Sequence, residues 1–322
     1  MKTPHDLFAK KTLLSGRTLI GLWLIGVLTV CGVTVVPAAG GTPALDAAAI
    51  GRAAGTKAVT GPDGVVHIGW VRNDVAVTVS GMQLPPAAGL GTWAAFQNTP
   101  RGALVMGDTV VFGDEIDAAM DAAFSHGLAV TALHNHFSFD RPKVYFMHIM
   151  GRGDPVTLAE DVRAVWGAIR AVRRAHPVPA QGFGGPTPVV GTINAGLVAR
   201  IVGHPAGRFG HVVKVTIGRT VRMDGVEVGG GMGLTTWAAF TGDDRLAAMD
   251  GDFLMRADEV QPVLQALRAG GIHIVALHTH MIGEEPVAYF THFWGTGPVK
   301  SLAQAFRGAL DAQARAGAPA DK

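Results

Sequence analysis

The spacing of apolar residues changes along the chain in a way that separates strands from helices. Residues 65–71 and 128–136 alternate or run apolar over short lengths, which is typical of strands. Apolar residues over 116–124 and 158–169 recur instead at helical spacing. Runs of strands with two such helices favour an α+β fold, with a mixed or antiparallel sheet and helices packed on it.

The pattern occurs twice, at an offset close to 144 residues. The stretch WAAF at 93–96 recurs at 237–240, and His67 corresponds to His211 at that offset. A repeat of this length indicates a duplicated domain, because solenoid repeats have periods of about 20–50 residues. We therefore predict two copies of one fold, related by a pseudo-two-fold axis.

The limits of the two copies follow from composition. The first repeat domain is predicted at residues 44–175 and the second at 192–315. Between them, residues 176–191 contain four prolines and four glycines and are typical of a linker. Asp114–Glu115 and Asp258–Glu259 precede the first helix of this pattern in each copy, and we interpret them as helix-start residues.

The amino end has the features of an export signal. Residues 1–38 combine four Lys or Arg residues and one acidic residue with a long apolar run. Cleavage before Ala39, lipidation of Cys31 and a retained anchor remain as alternatives. Each predicts an exported protein, periplasmic or anchored to the envelope, that meets a membrane only through this segment or its lipid.

Composition excludes several classes of function for the rest of the chain. The net charge is +2 with neutral histidine, and residues 1–38 carry +3, so the rest of the chain has a charge of about −1 and is close to neutral. Nucleic-acid binding is not expected, since it needs many phosphate contacts by Lys and Arg. Cys31 is the only cysteine, which excludes disulfides and thiolate metal sites from the body. The glycine-rich stretches are not followed by the helix that a phosphate-binding loop requires, and no cofactor-binding loop is predicted.

The main chemical signal is an HxHx11H pattern that recurs in both copies. The histidines are His134, His136 and His148, and then His278, His280 and His292. In a strand, His134 and His136 share one face, together with Val130 and Ala132. His148 joins them only if the paired residue numbers of the two strands have an even sum. Three imidazoles would then suit a divalent Zn, Fe, Mn or Cu ion. The alternative is that these histidines only pack and form hydrogen bonds.

Further residues beside the histidines are candidates for ligands or acid–base groups. Asp140 and Glu284 occupy equivalent loop positions and are candidates for a fourth ligand or a general base. Glu285 adds a second carboxylate in the second copy, whereas Arg141 follows Asp140 in the first. We therefore predict tighter metal binding in the second copy, with Glu284 or Glu285 assisting.

The two tyrosines form another repeated pair. Tyr145 and Tyr289 are the only tyrosines of the chain and are candidate catalytic acids. Their apolar neighbours favour the alternative of core residues that form a hydrogen bond through the hydroxyl.

The repeated motifs together resemble a known family. WAAF, ALHNH, YFMHIMGRGDP, ALHTH and YFTHFWGTGP are similar to the duplicated domain of the bacterial LppY/LpqO-type family. The resemblance covers about residues 44–315 and implies an exported protein or lipoprotein, without an established activity. A fainter similarity to acetolactate decarboxylase covers only the three histidines, whose spacing there is one residue shorter.

Two classes of function remain open from the sequence. One is an exported binding protein that uses a divalent metal, or the cleft between the copies, to hold a small-molecule ligand without turnover. The other is a metal-dependent hydrolase or lyase acting on a small molecule. A structural protein with packing histidines is the third alternative. The sequence predicts no oligomeric state.

Overall fold

The computed structural model describes residues 44–318. The first repeat contains, in chain order, α1 (Ala47–Ala54), β1 (Ala58–Thr60), β2 (Val66–Val71), β3 (Thr78–Val79), β4 (Met82–Gln83), β5 (Gly91–Thr99), β6 (Gly102–Phe112), α2 (Ile116–Ser125), β7 (Ala129–His134), β8 (Asp140–Arg141), β9 (Val144–Gly153) and α3 (Pro155–Ala175). The second contains α4 (Ala195–Val202), β10 (Ala206–Phe209), β11 (Val212–Gly218), β12 (Val221–Met223), β13 (Val226–Val228), β14 (Thr235–Gly242), β15 (Ala247–Met255), α5 (Val260–Ala269), β16 (His273–His278), β17 (Tyr289–Gly297) and α6 (Val299–Ala316).

The main strands of both repeats form one 12-stranded sheet. Its order is β1-β2-β5-β6-β9-β7-β16-β17-β15-β14-β11-β10, and all pairings found within residues 44–318 are antiparallel. At its centre β7 meets β16, with Leu133 opposite Leu277. These two leucines are equivalent in the repeats, so a pseudo-two-fold axis passes between them. The predicted α+β fold and its duplication are confirmed.

All helices lie on one face of this sheet and share a single core. Buried residues of α1 to α6 belong to one hydrophobic cluster with strand residues from both repeats, including Trp166 and Phe306 at the centre of α3 and α6. The described residues consequently belong to one compact unit rather than two separate domains. Within residues 44–318, no helix is both long enough and apolar enough to cross a membrane. The predicted export segment, residues 1–38 with Cys31, lies outside the described residues.

The opposite sheet face, here called the open face, is only partly covered. In the first repeat, the small sheet β4-β3-β8 covers Val110, Phe112, Val144 and Phe146. In the second repeat, Val221 and Leu234 pack with Leu254 and Phe290 in the corresponding place. The rest of the open face carries polar side chains and exposed apolar ones such as Trp93 and Met106, and the repeated histidines lie at the edge of each covered part.

The proposed equivalence of His67 and His211 is wrong. Val66 pairs with the phenylalanine of the first WAAF stretch, whereas Val213 pairs with that of the second. The offset of this strand is therefore three residues larger than the offset of the WAAF stretches, because the loop that follows it is shorter in the second repeat. Lys214 takes the place of His67.

The acidic residues before α2 and α5 do more than start a helix. The carboxylate of Glu115 is fully buried and accepts hydrogen bonds from Arg72, from Arg173 and from the backbone N–H of Phe112. In the second repeat, Arg219 forms the same two-pronged contact with Glu259. These ion pairs tie the end of β2 or β11 to the helix layer. The interpretation of both glutamates as helix-start residues alone is corrected.

Candidate functional site

A β-bulge in β7 decides which residues accompany the first pair of histidines. Ala132 pairs with His148 and His134 with Phe146, so the paired numbers have an even sum, as the convergence required. The register shifts between Val130 and Ala132. Val130 consequently belongs to the core on the helix side, and the prediction that it shares a face with His134 is wrong.

In the first repeat the three imidazoles form a compact group, here called the first histidine cluster. His134 Nε2 lies 3.0 Å from His148 Nε2. The ring centroids of His134 lie 5.2 Å from those of His136 and 5.1 Å from those of His148. His136 also stacks on Phe146 at 3.3 Å, which fixes the plane of its ring. The strands and this apolar ring position the group without help from a ligand.

The second histidine cluster reproduces this arrangement. The ring centroid of His278 lies 5.1 Å from that of His280 and 4.8 Å from that of His292. His280 stacks on Phe290 at 3.4 Å. The same spacing therefore gives the same convergence in both repeats, because the register of β16 and β17 also places Ala276 opposite His292.

Each cluster contains a carboxylate that the sequence analysis did not select. Asp108 of β6 lies opposite His148 of β9, and Asp252 of β15 lies opposite His292 of β17. The closest ring nitrogen is 3.8 Å from Asp108 (His148 Nε2) and 3.4 Å from Asp252 (His280 Nε2). Both residues are buried, at 7% and 4% exposure. The available signal was a Gly-Asp pair inside an otherwise apolar strand, repeated at the same offset.

The two aspartates are electrostatically unusual. Burial raises the pKa of Asp108 above its ordinary value, although the neighbouring imidazoles act to lower it. Burial likewise raises the pKa of Asp252, against the effect of His292 and His280. The Oδ1 atom of each is buried without a hydrogen-bond partner among the described residues. A buried carboxylate oxygen without a partner loses hydration free energy, so a hydrogen-bond donor or a cation next to it would stabilise it.

The histidines are poised to act as neutral ligands. Burial lowers the pKa of His136, His278 and His280 below the ordinary value, and the neighbouring imidazoles lower it further. Asp108 acts to raise the pKa of His136 and Asp252 that of His280, but neither outweighs burial. Neutral imidazole is the form that coordinates metals. Nδ1 of His278 is buried without a hydrogen-bond partner among the described residues.

The distances in these clusters suit either of two interactions. Two nitrogens bound to one metal at about 2.1 Å lie roughly 3.0–3.4 Å apart, depending on the bond angle, and His134 and His148 have their Nε2 atoms 3.0 Å apart. The same distance fits an N–H···N hydrogen bond between the rings. Within residues 44–318, no group of three or more His, Cys, Asp or Glu side chains is already arranged to hold a metal ion.

The hairpin carboxylates do not join the clusters. Asp140 is buried and accepts hydrogen bonds from the Val144 backbone N–H and from Lys143, each at 2.6 Å. Glu284 is buried as well and accepts from the Ala288 backbone N–H at 3.0 Å. Both carboxylates therefore close their own hairpin loop. Glu285 pairs through its backbone with a neighbouring strand, and its side chain is exposed.

The tyrosines lie on the other side of the sheet. Tyr145 and Tyr289 are half-buried and pack against the core under the helices. They alternate with residues of the open face, so they point away from the histidine clusters. The structure does not bring these candidate acids together with the clusters, and they take no part in the site described here.

Comparison with known proteins gives a family but no activity. A family model described as Domain of Unknown Function (DUF1259) matches residues 48–168 and again residues 197–312. The chain belongs to this family. The double match agrees with the duplication seen in the sheet, so an uncharacterised duplicated family is confirmed.

The other comparisons add no function. No curated protein matches the chain. One solved structure that matches is "Crystal structure of a trimeric bacterial microcompartment shell protein PduB", with 10% sequence identity over 80% of this chain and 90% of that chain. Its TM-score is 0.19, which is too low to support any argument about this DUF1259 protein.

Proposed function

We propose that this chain is an exported cell-envelope protein that binds one divalent transition-metal ion in each repeat. The ligands would be three histidines and one aspartate per site: His134, His136, His148 and Asp108, and then His278, His280, His292 and Asp252. Zn, Fe, Mn and Cu are the ions that such a set of imidazoles and a carboxylate suits. Small movements of the side chains would be needed to enclose the ion.

One observation carries the proposal. In each repeat, an aspartate oxygen that has no hydrogen-bond partner among residues 44–318 is buried beside three converging imidazoles. A structural histidine cluster would not need a buried carboxylate with a free oxygen, since burying such a group costs free energy unless something pairs with it. A bound cation would pair with this oxygen and with the imidazole nitrogens beside it.

Binding rather than turnover is proposed for a specific reason. Asp140 and Glu284, the expected general bases, already accept hydrogen bonds from their own hairpin backbone. Among the described residues, neither makes a hydrogen bond or ion pair with a histidine cluster, so the proposal includes no proton transfer. A metal-dependent hydrolase or lyase remains the alternative.

The export part of the proposal rests on residues 1–38 and on the similarity to LppY/LpqO-type proteins. Amino-terminal sequencing of the mature chain is expected to begin at Ala39, or to be blocked by lipid at Cys31. Soluble cytoplasmic protein that begins at Met1 would contradict it.

Metal loading tests the proposed sites. Chelator-treated protein is reloaded with Co²⁺, and its bound equivalents and visible absorption are measured. Two bound Co²⁺ ions per chain are expected, with absorption bands typical of nitrogen ligands. The double variant His134→Ala/His278→Ala should lose both ions. His126 is a matched control, because it lies outside both clusters and contacts Asp161; His126→Ala should keep both equivalents. A double variant that still binds two ions with the same spectrum would overturn the proposal.

A further inference from the structure

The two repeats share one backbone arrangement but differ on the open face next to their clusters. In the second repeat, Asp250 of β15 lies opposite Trp294 of β17. The equivalent pair in the first repeat is Met106 and Met150. A carboxylate and an indole have therefore replaced two thioethers at one place, in strands whose pairing is otherwise the same.

This pair borders a cleft that the linker helps to build. The cleft has a volume of about 590 Å³ and is lined by Asp250, Val275, His292, Trp294, Thr296 and residues 182–188 of the linker. His292 belongs to the second histidine cluster, so the cleft opens beside it. A ligand in the cleft would therefore contact both the sheet and the linker.

Specific contacts hold the linker at this place. Phe183 stacks on His273 with ring centroids 3.7 Å apart, and His273 is paired with Asp117 of the first repeat. The backbone N–H of Ala180 donates to Asp114. At the position equivalent to His273, the first repeat has an alanine, Ala129. The sequence has thus diverged at the linker contact as well as at the cleft floor.

The chemistry of the cleft selects its ligand. Asp250 is exposed, and no hydrogen bond or ion pair to its side chain is found among the described residues. An ionised carboxylate only accepts hydrogen bonds, so a ligand must bring donors to it. Trp294 is half-buried and offers a flat apolar ring, against which a ring of C–H groups packs. Among the residues that the structure describes, no lysine or arginine lines this cleft, which disfavours an anion.

We propose that this cleft is a binding subsite for a neutral carbohydrate ring, with its hydroxyls on Asp250 and its C–H face on Trp294. An organic ammonium ion would also bring donors, but a divalent ion on His292 and Asp252 would repel it. That exclusion rests on the proposed metal site, whereas the subsite itself does not need the ion. The first repeat, with methionines at both places, does not bind the ring.

Saturation-transfer NMR on the full mature chain tests the subsite. The probes are the methyl glycosides of glucose, mannose and galactose, with N-acetylglucosamine, and benzylammonium, which has three N–H donors, is the cationic comparison. At least one sugar is expected to bind, in chelator-treated protein as well as in metal-loaded protein. Binding that survives chelation while metal loading fails would support the subsite and overturn only the metal proposal.

Variants taken from the first repeat provide the matched design. Asp250→Met and Trp294→Met should each weaken sugar binding at least 10-fold, and the isosteric Asp250→Asn should weaken it less. Met106→Ala, at the place equivalent to Asp250, should leave the dissociation constant unchanged. Thermal melting and metal content identify any variant that fails to fold. If Asp250→Met fails to fold, the sugar binding of Asp250→Asn decides whether the carboxylate takes part.

Three results would overturn the inference. None of the four sugars binds the wild type; or sugar binding is the same in Asp250→Met, Trp294→Met and Met106→Ala; or benzylammonium binds at this cleft and the sugars do not.

Discussion

Replacing Glu115 by alanine tests the buried ion pairs that join the sheet to the helices. The Glu115 carboxylate and the Arg72 guanidinium are both fully buried, with their atoms 2.8 and 2.9 Å apart in a two-pronged contact. Removing one partner of such a pair leaves an uncompensated buried charge, which costs about 3–5 kcal/mol. Arg72 keeps a contact with Asp74, so we expect the lower half of that range.

The second repeat supplies an internal comparison. Arg219, the partner of Glu259, is 27% exposed and can be hydrated when the glutamate is removed. Glu259→Ala should therefore cost less, about 2 kcal/mol, as expected for hydrogen bonds to charged groups. At about 2–4 °C per kcal/mol for a domain of this size, Glu115→Ala should lower Tm by roughly 10 °C.

Urea and thermal unfolding, followed by circular dichroism, measure these differences. Asp258→Ala is the control, because this side chain is 55% exposed and its loss should change the free energy of unfolding by about 0.5 kcal/mol or less. The reasoning is refuted if Glu115→Ala is no more destabilising than Asp258→Ala, or if Glu259→Ala costs more than Glu115→Ala.

Three further predictions follow from individual residues. Burial would raise the pKa of Glu259, but its hydrogen bonds with Arg219, the Arg256 backbone and Gln313 outweigh burial and lower the pKa. The contribution of Glu259 to stability is therefore complete above its ordinary pKa of 4.5 and is lost as pH falls through the lowered pKa. Acid unfolding of Glu259→Gln should consequently depend less steeply on pH. A Cβ added at Gly251 would clash with the ring of Phe293, so Gly251→Ala should lower Tm by several degrees or abolish soluble expression. Asp250 adds negative charge beside the second cluster only, so isothermal titration should show that His280→Ala removes the tighter metal site and His136→Ala the weaker; the reverse order would contradict the ranking.

The duplication and the convergence of the histidines could be predicted from the sequence, because both rest on motifs that recur in it. The duplication followed from the repeated WAAF and HxH stretches, and the even register of β7 and β9 placed His134 and His148 on one face. His136 lies beyond the end of β7, so strand alternation does not place it; it stacks on Phe146 instead. The bulge beside Val130 could not be predicted, because it depends on how β7 pairs rather than on its own apolar pattern.

Asp108 and Asp252 were missed for a different reason. Sequence distance hid them, since each reaches its cluster from a strand about 40 residues earlier. The hairpin acids Asp140 and Glu284 attracted attention by their closeness in sequence to the histidines. Their loop conformation turns both toward the backbone of their own hairpin, and sequence patterns contain no signal for that.

The three-residue length difference between the two repeats could not be seen from the sequence either. His67 and His211 happen to coincide at the offset of the WAAF stretches, which suggested a continuous register. The correct alignment of β2 with β11 matches Arg72 with Arg219, and with it the two buried ion pairs become equivalent.

Native mass spectrometry of the aspartate variants tests the central claim most directly. Wild type, Asp108→Ala, Asp252→Ala and the double variant are loaded with Zn²⁺ under identical conditions, and bound ions per chain are counted. The account predicts two ions for the wild type, one for each single variant and none for the double variant, with folding unchanged by circular dichroism. Two bound ions in both the wild type and the double variant would contradict the role of the aspartates, and no bound ion in the wild type would leave the histidine clusters as packing groups.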